Sequence, residues 1–134
     1  MGTTNGQLDY DLEPFVTTGQ GHKKRISIRK SGQIGINVGA VKEYDLKQYE
    51  GFIFHYSRED KVVGLEPTDD KSRPGFITAR EHNEEIQVSA KSFFDHYNIP
   101  YDETRRAPVL GYNEDMGKHG MVLADISEVM QHKV

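Results

Sequence analysis

The chain has no cysteine. Disulfides, thiolate nucleophiles and cysteine-based zinc sites are therefore excluded, and stability has to come from packing. Long apolar runs are also missing. No stretch approaches the ~20 residues of a membrane-spanning helix. Hydrophobic residues make up only 35% of the 134 positions, so the core must be compact and the surface polar. Basic residues do not dominate either: 17 Lys and Arg against 21 Asp and Glu leave a net charge of −4. That argues against a broad nucleic-acid surface and leaves room for a local basic patch. Met1–Gly6 runs into acidic residues instead of an apolar segment, so no signal peptide is expected. Together these absences fit a single domain in a reducing cytoplasm.

The familiar catalytic signatures are absent too. There is no H-E-x-x-H, G-x-S-x-G or G-x-G-x-x-G. The six histidines, at 22, 55, 82, 96, 119 and 132, form no helical i, i+4 pair, so no metal and no cofactor are expected. Gly117-Lys118-His119-Gly120 lacks the spacing and the Ser/Thr of a phosphate loop. No catalytic residue is nominated.

What is present is alternation. Ile26 and Ile28 alternate with polar residues, as do Ile34 and Ile36, which is the two-residue period of half-buried strands. Lys30-Ser31-Gly32 reads as the turn between them, with Gly32 free to take φ > 0. Asn37 is placed to cap a short helix whose apolar face is Val41, Tyr44 and Leu46. Gly51 opens a second hairpin, Phe52–Tyr56 against Val62–Leu65, turned by Ser57-Arg58-Glu59-Asp60. Residues 26–67 thus make one β-β-α-β-β unit.

Residues 77–126 repeat that order. Ile77 and Ala79 lead into the polar turn Glu81–Glu85, and Ile86-Gln87-Val88-Ser89 matches Ile34-Gly35-Ile36-Asn37, with Ser89 in the capping place. Phe93, Phe94 and Tyr97 face the second helix inward, and Tyr97-Asn98-Ile99 matches Tyr44-Asp45-Leu46. Pro100–Arg106 reads as a loop, Pro108–Asp115 answers Phe52–Asp60, and Met121–Ile126 closes the last hairpin. The offset drifts from about 51 to about 56 residues, so small insertions separate the copies. Pro67–Pro74 connects the halves. Ile26, Ile28, Ile34, Ile36, Phe52, Phe54, Val88, Phe93, Leu110 and Leu123 are the expected core.

Charge is uneven along this frame. His22-Lys23-Lys24-Arg25 precedes the first strand, and Arg29-Lys30 sits at its turn. Arg25, Ser27 and Arg29 share the strand face opposite Ile26 and Ile28. That face suits bidentate phosphate contacts and equally suits a solvated, aggregation-resistant edge. Arg105 and Arg106 join it if the fold brings them close. Glu81–Glu85 makes the equivalent turn of the second half acidic. His55 is expected to be a packed or surface histidine. Residues 1–21 form an arm, read either as a flexible tail or as a segment that docks through Leu12–Val16.

The run Ile26-Ser-Ile-Arg-Lys-Ser-Gly-Gln-Ile-Gly-Ile-Asn37, the short helix ending at Asp45-Leu46, and Gly51 leading into two strands resemble the AbrB/MazE/SpoVT-type swapped-hairpin DNA-binding domains. In that family two chains interleave hairpins into one barrel, and basic residues near the first hairpin contact DNA. The resemblance implies Arg25, Arg29 and Lys30 as contacts, with Lys24 flanking. This chain departs from the pattern where Asn37-Val38 replaces the proline that opens the family's helix, where Val41-Lys42 replaces the helix arginine, and in its acidic balance.

If one half equals one protomer, two fused halves complete the barrel. The fold expected for residues 22–134 is a β-rich α+β domain: a pseudo-twofold barrel of two ββαββ halves, swapped-hairpin or double-psi-like, as a monomer or homodimer. The function expected is a small DNA-binding regulatory protein. The alternative is a protein-interaction module or inhibitor using the acidic surface and the arm. An enzyme with a site between the halves is the third reading.

Overall fold

The alternating segments pair as their turns direct. The computed structural model describes residues 23–132. β1 (Arg25–Ile28) and β2 (Gln33–Ile36) form the first hairpin, and Gly32 takes φ +87° in its turn. Then come α1 (Val38–Glu43), a 3-10 turn at Leu46–Gln48, and the hairpin β3 (Gly51–Ser57) and β4 (Val62–Thr68). β5 (Ile77–His82), β6 (Glu85–Ser89), α2 (Lys91–Tyr97), β7 (Arg105–Asn113), β8 (Met121–Asp125) and α3 (Ser127–Met130) complete the chain. Asn37 caps α1 as expected, its side chain accepting from the Ala40 N–H.

The strands close into an eight-stranded barrel in the order β1-β2-β6-β5-β3-β4-β8-β7, with β7 returning to β1. Every neighbouring pair is antiparallel. Alternation turns Ile26, Ile28, Ile34, Ile36, Phe52, Val63, Leu65, Val88, Val122 and Ala124 inward, all essentially inaccessible. One interior row runs Ala107–Ile26–Ile36–Ile86 across β7, β1, β2 and β6. Ala40, Val41 and Leu46 from the α1 region and Phe94 and Ile99 from the α2 region join the same core. Among the described residues no helix is long and apolar enough to cross a membrane.

Several local expectations need correcting. Leu110 is 59% exposed. A bulge between Val109 and Gly111 pairs those residues with Ala124 and Leu123 and leaves Leu110 outside the register. Leu123 is half-buried, because it faces outward beside Gly64. In α2 the fully buried ring is Phe94; Phe93 is half-buried, 5.0 Å from Phe54. Ser89 ends β6 and caps nothing, since Ala90 stands at the N-cap with no side-chain bond. The β5–β6 turn is tighter than Glu81–Glu85: Asn83 and Glu84 alone make it, both at positive φ. Arg105 and Arg106 belong to strand β7 and not to a loop. Both readings of the arm lie outside the described residues.

Candidate nucleic-acid interface

The alternation that buries Ile26 and Ile28 turns Arg25, Ser27 and Arg29 to the barrel's outer surface. Register supplies the rest. Ser27 stands opposite Arg106 on β7 and opposite Gly35 on β2. A groove of about 390 Å³ results, lined by Lys23, Arg25, Ser27, Arg29, Asn37 and Arg106, with Glu85 at one side. Asn37 braces its rim. Its Oδ1 accepts from the Arg25 N–H at 3.1 Å while it caps α1, and its Nδ2 donates to the Lys23 carbonyl.

Arg29 is held differently from Arg25. Its guanidinium lies over Gly35, where an added Cβ would overlap it, and its Nη2 reaches Glu85 Oε1 at 3.0 Å. Arg25 and Arg106 are exposed and form no ion pair among the described residues. The acidic tip of the second half is neutralised elsewhere: Glu84 meets Lys42 at 3.1 Å and Glu81 meets Lys47 at 3.1 Å. The groove therefore offers two free guanidinium groups, one lysine and one arginine already engaged by a carboxylate. Such a set can receive anionic oxygens.

The remaining expected residues lie apart from this groove. Lys30 is exposed at the β1–β2 turn, its N–H donating to Thr104 Oγ1 at 3.1 Å. Lys24 is half-buried, and its carbonyl accepts from the Val109 N–H. Arg105 and Arg106 are separated by strand alternation. Arg105 points to the other side, 16% exposed, and is paired with Asp102 at 2.9 Å and Glu103 at 3.8 Å. Lys23 enters as a lining residue that the basic run contained without distinguishing it. Glu85 was legible as part of the acidic run Glu81–Glu85, but its pairing with Arg29, 56 residues away, had no visible signal.

A second polar cluster sits under the β3–β4 hairpin. Glu66 is the one charged residue buried among those described. Arg73 Nη1 bonds its Oε2 at 2.7 Å, and His55 Nε2 stands 2.9 Å from its Oε1. The Arg73 hydrogen bond holds the Glu66 carboxyl below its usual range, and His55 adds to that against the opposing effect of burial. His55 is thus a surface histidine tied to a buried acid. Among the described residues no group of three His, Cys, Asp or Glu could hold a metal ion.

Comparison with protein-family models, curated proteins and solved structures finds no match.

Proposed function

We propose that the chain is a small DNA-binding regulatory protein, built as two fused ββαββ halves, that grips backbone phosphates through the groove of Lys23, Arg25, Arg29 and Arg106. The observation that carries this reading is the convergence of four cationic side chains on one surface hollow: Arg25 from β1, Arg106 from β7, and Lys23 and Arg29 from the chain just before and just after β1. In an acidic chain such local convergence is what phosphate contact requires. Lys24 and Lys30 lie outside the groove and add to the positive field around β1.

The pseudo-twofold architecture draws support from three relationships. Exchanging β1–β4 with β5–β8 leaves every neighbour in the barrel ring unchanged. Tyr44-Asp45-Leu46 and Tyr97-Asn98-Ile99 both turn through a left-handed central residue, at φ 53° and 56°, and both bury the residue that follows. The hairpin of each half meets the helix of the other through a tyrosine pair, Tyr44–Tyr112 at 4.8 Å and Tyr56–Tyr97 at 4.9 Å.

The test is a salt-titrated binding measurement with mixed-sequence duplex DNA. Wild type should bind with a slope of log K against log salt of about −0.9 per phosphate engaged. Arg25→Glu combined with Arg106→Glu should abolish the binding. Unchanged affinity in that variant removes the groove from the proposal.

A further inference from the structure

Leu110 and Met116 are the large apolar side chains left open, 59% and 40% exposed. Both line a groove of about 390 Å³ on the barrel's outer surface, with Val62, Leu123, Met121 and His55. Two methionines and a histidine thus share one apolar hollow. Local packing brings them together. His55 stands opposite Gly64 in the β3–β4 ladder, and Gly64 stands opposite Leu123 of β8. Lacking a side chain, Gly64 leaves room for a sulfur: an added Cβ would overlap Met121 Sδ and stand 3.3 Å from His55 Cβ. Met116 arrives from the β7–β8 loop. Its neighbour Gly117, at φ +75°, lies so close to Glu66 that an added Cβ would be 2.7 Å from Oε2. His55 Nε2 is 2.9 Å from the other oxygen of that carboxylate. The polar side chains at the groove's end, Ser57 and Asp60, bond each other at 3.1 Å.

We propose that His55, Met116 and Met121 bind a soft monovalent metal ion, Cu(I) or Ag(I). Thioether sulfur is a good ligand for such ions and a poor one for hard cations. All three donors are neutral. Neutral donors in an apolar hollow favour a single positive charge, because burying a divalent ion costs far more. The imidazole is already set as a ligand. With Glu66 accepting from Nε2, the ring is fixed and Nδ1 is left for the metal. Arg73 holds Glu66 in turn, from Nη1 at 2.7 Å and Nη2 at 3.3 Å. A carboxylate behind a ligating histidine fixes its tautomer and raises its basicity. Val62, Leu110 and Leu123 screen the ion from water. Met116, the exposed donor on a loop, gives the ion its way in from solvent.

The test is binding of Ag(I), as the nitrate in chloride-free buffer, to the full chain, followed by calorimetry and by the methionine methyl signals in NMR. Ag(I) should shift the Met116 and Met121 methyls and leave that of Met130, packed against the core, in place. Met116→Leu and His55→Gln alter exposed side chains, so the barrel still folds. Each should weaken binding by about tenfold or more, a loss seen even for a partner behind a ligand. Cu(I), held anaerobically and competed with a chromogenic chelator, should follow the same order, and Zn(II) should bind more weakly than either. Unchanged affinity in both variants, the mark of an adventitious ion only, overturns the proposal. Zn(II) binding as tight as Ag(I) overturns it too, as does a shift at Met130 with none at Met116.

Discussion

Arg29 Nη2 stands 3.0 Å from Glu85 Oε1, a pairing made possible because the guanidinium lies over Gly35. Under the proposed function this carboxylate competes with phosphate for Arg29. Glu85→Gln should therefore release Arg29 and remove a repelling charge from the groove. DNA affinity should rise, and the salt slope should steepen by about 0.9 as one more phosphate is engaged. Fluorescence anisotropy over a range of salt concentrations reads both. Tighter binding with an unchanged slope would mean that only the field had changed and that Arg29 had stayed out of contact.

Asn37 serves three partners with one side chain: the Ala40 N–H, the Arg25 N–H and the Lys23 carbonyl. Asn37→Ala should lower stability by about 1–2 kcal/mol, the upper part of the range for a lost cap. Asn37→Asp keeps both acceptor roles and loses the donor to Lys23, so it should cost less. Urea denaturation of the three proteins checks the order. Equal losses in both variants would show that the Lys23 contact carries the effect and the cap does not.

Much of this fold was legible because hairpin chemistry is local. Ile26, Ile28, Ile34 and Ile36 alternate around a glycine turn, and all four are fully buried. The closed barrel was expected only through the family resemblance and the inferred duplication, because closure joins β1 to β7 across a long sequence separation. Leu110 was illegible because a bulge inserts a residue without leaving a mark in the hydrophobic pattern. In the candidate site, Arg25 and Arg29 could be read from strand parity alone. Arg106 depended on the β1–β7 register, which pairs residues 79 positions apart. Glu85 and Glu66 depended on the tertiary placement of single side chains, for which a sequence pattern has no period.

Glu66 makes acid stability a test of the second cluster. Its folded carboxyl titrates below its ordinary value, mainly because of the Arg73 hydrogen bond. The unfolded chain therefore binds more protons in the acid range. The stabilisation is fully present above the ordinary carboxylate range and is lost as pH falls through the lowered folded value. Arg73→Ala removes the largest cause of the depression. Its acid-unfolding midpoint should move to higher pH than that of wild type, followed by circular dichroism. A midpoint that does not move would take Glu66 out of the acid transition.

Tyr112 gives the opposite sign at the alkaline end. Its hydroxyl donates to the His119 carbonyl, and its ring stacks on Tyr44. Burial, with Tyr49 and Glu114 nearby, pushes its pKa from 10.0 up to about 12. A raised value favours the neutral, folded form. That contribution is complete below the unfolded value and disappears as pH climbs through the folded one. Tyr112→Phe keeps the stacked ring and removes both the hydrogen bond and the titration. At neutral pH it should be less stable than wild type by about 0.5–1.5 kcal/mol. The gap should narrow once the unfolded tyrosine begins to ionise, because only wild type then loses stability at this position. The other tyrosines are common to both proteins and cancel in the difference. Denaturant unfolding of the pair between neutral and strongly alkaline pH measures it, and a gap that stayed constant would show that the Tyr112 hydroxyl is as free to ionise in the barrel as in the open chain.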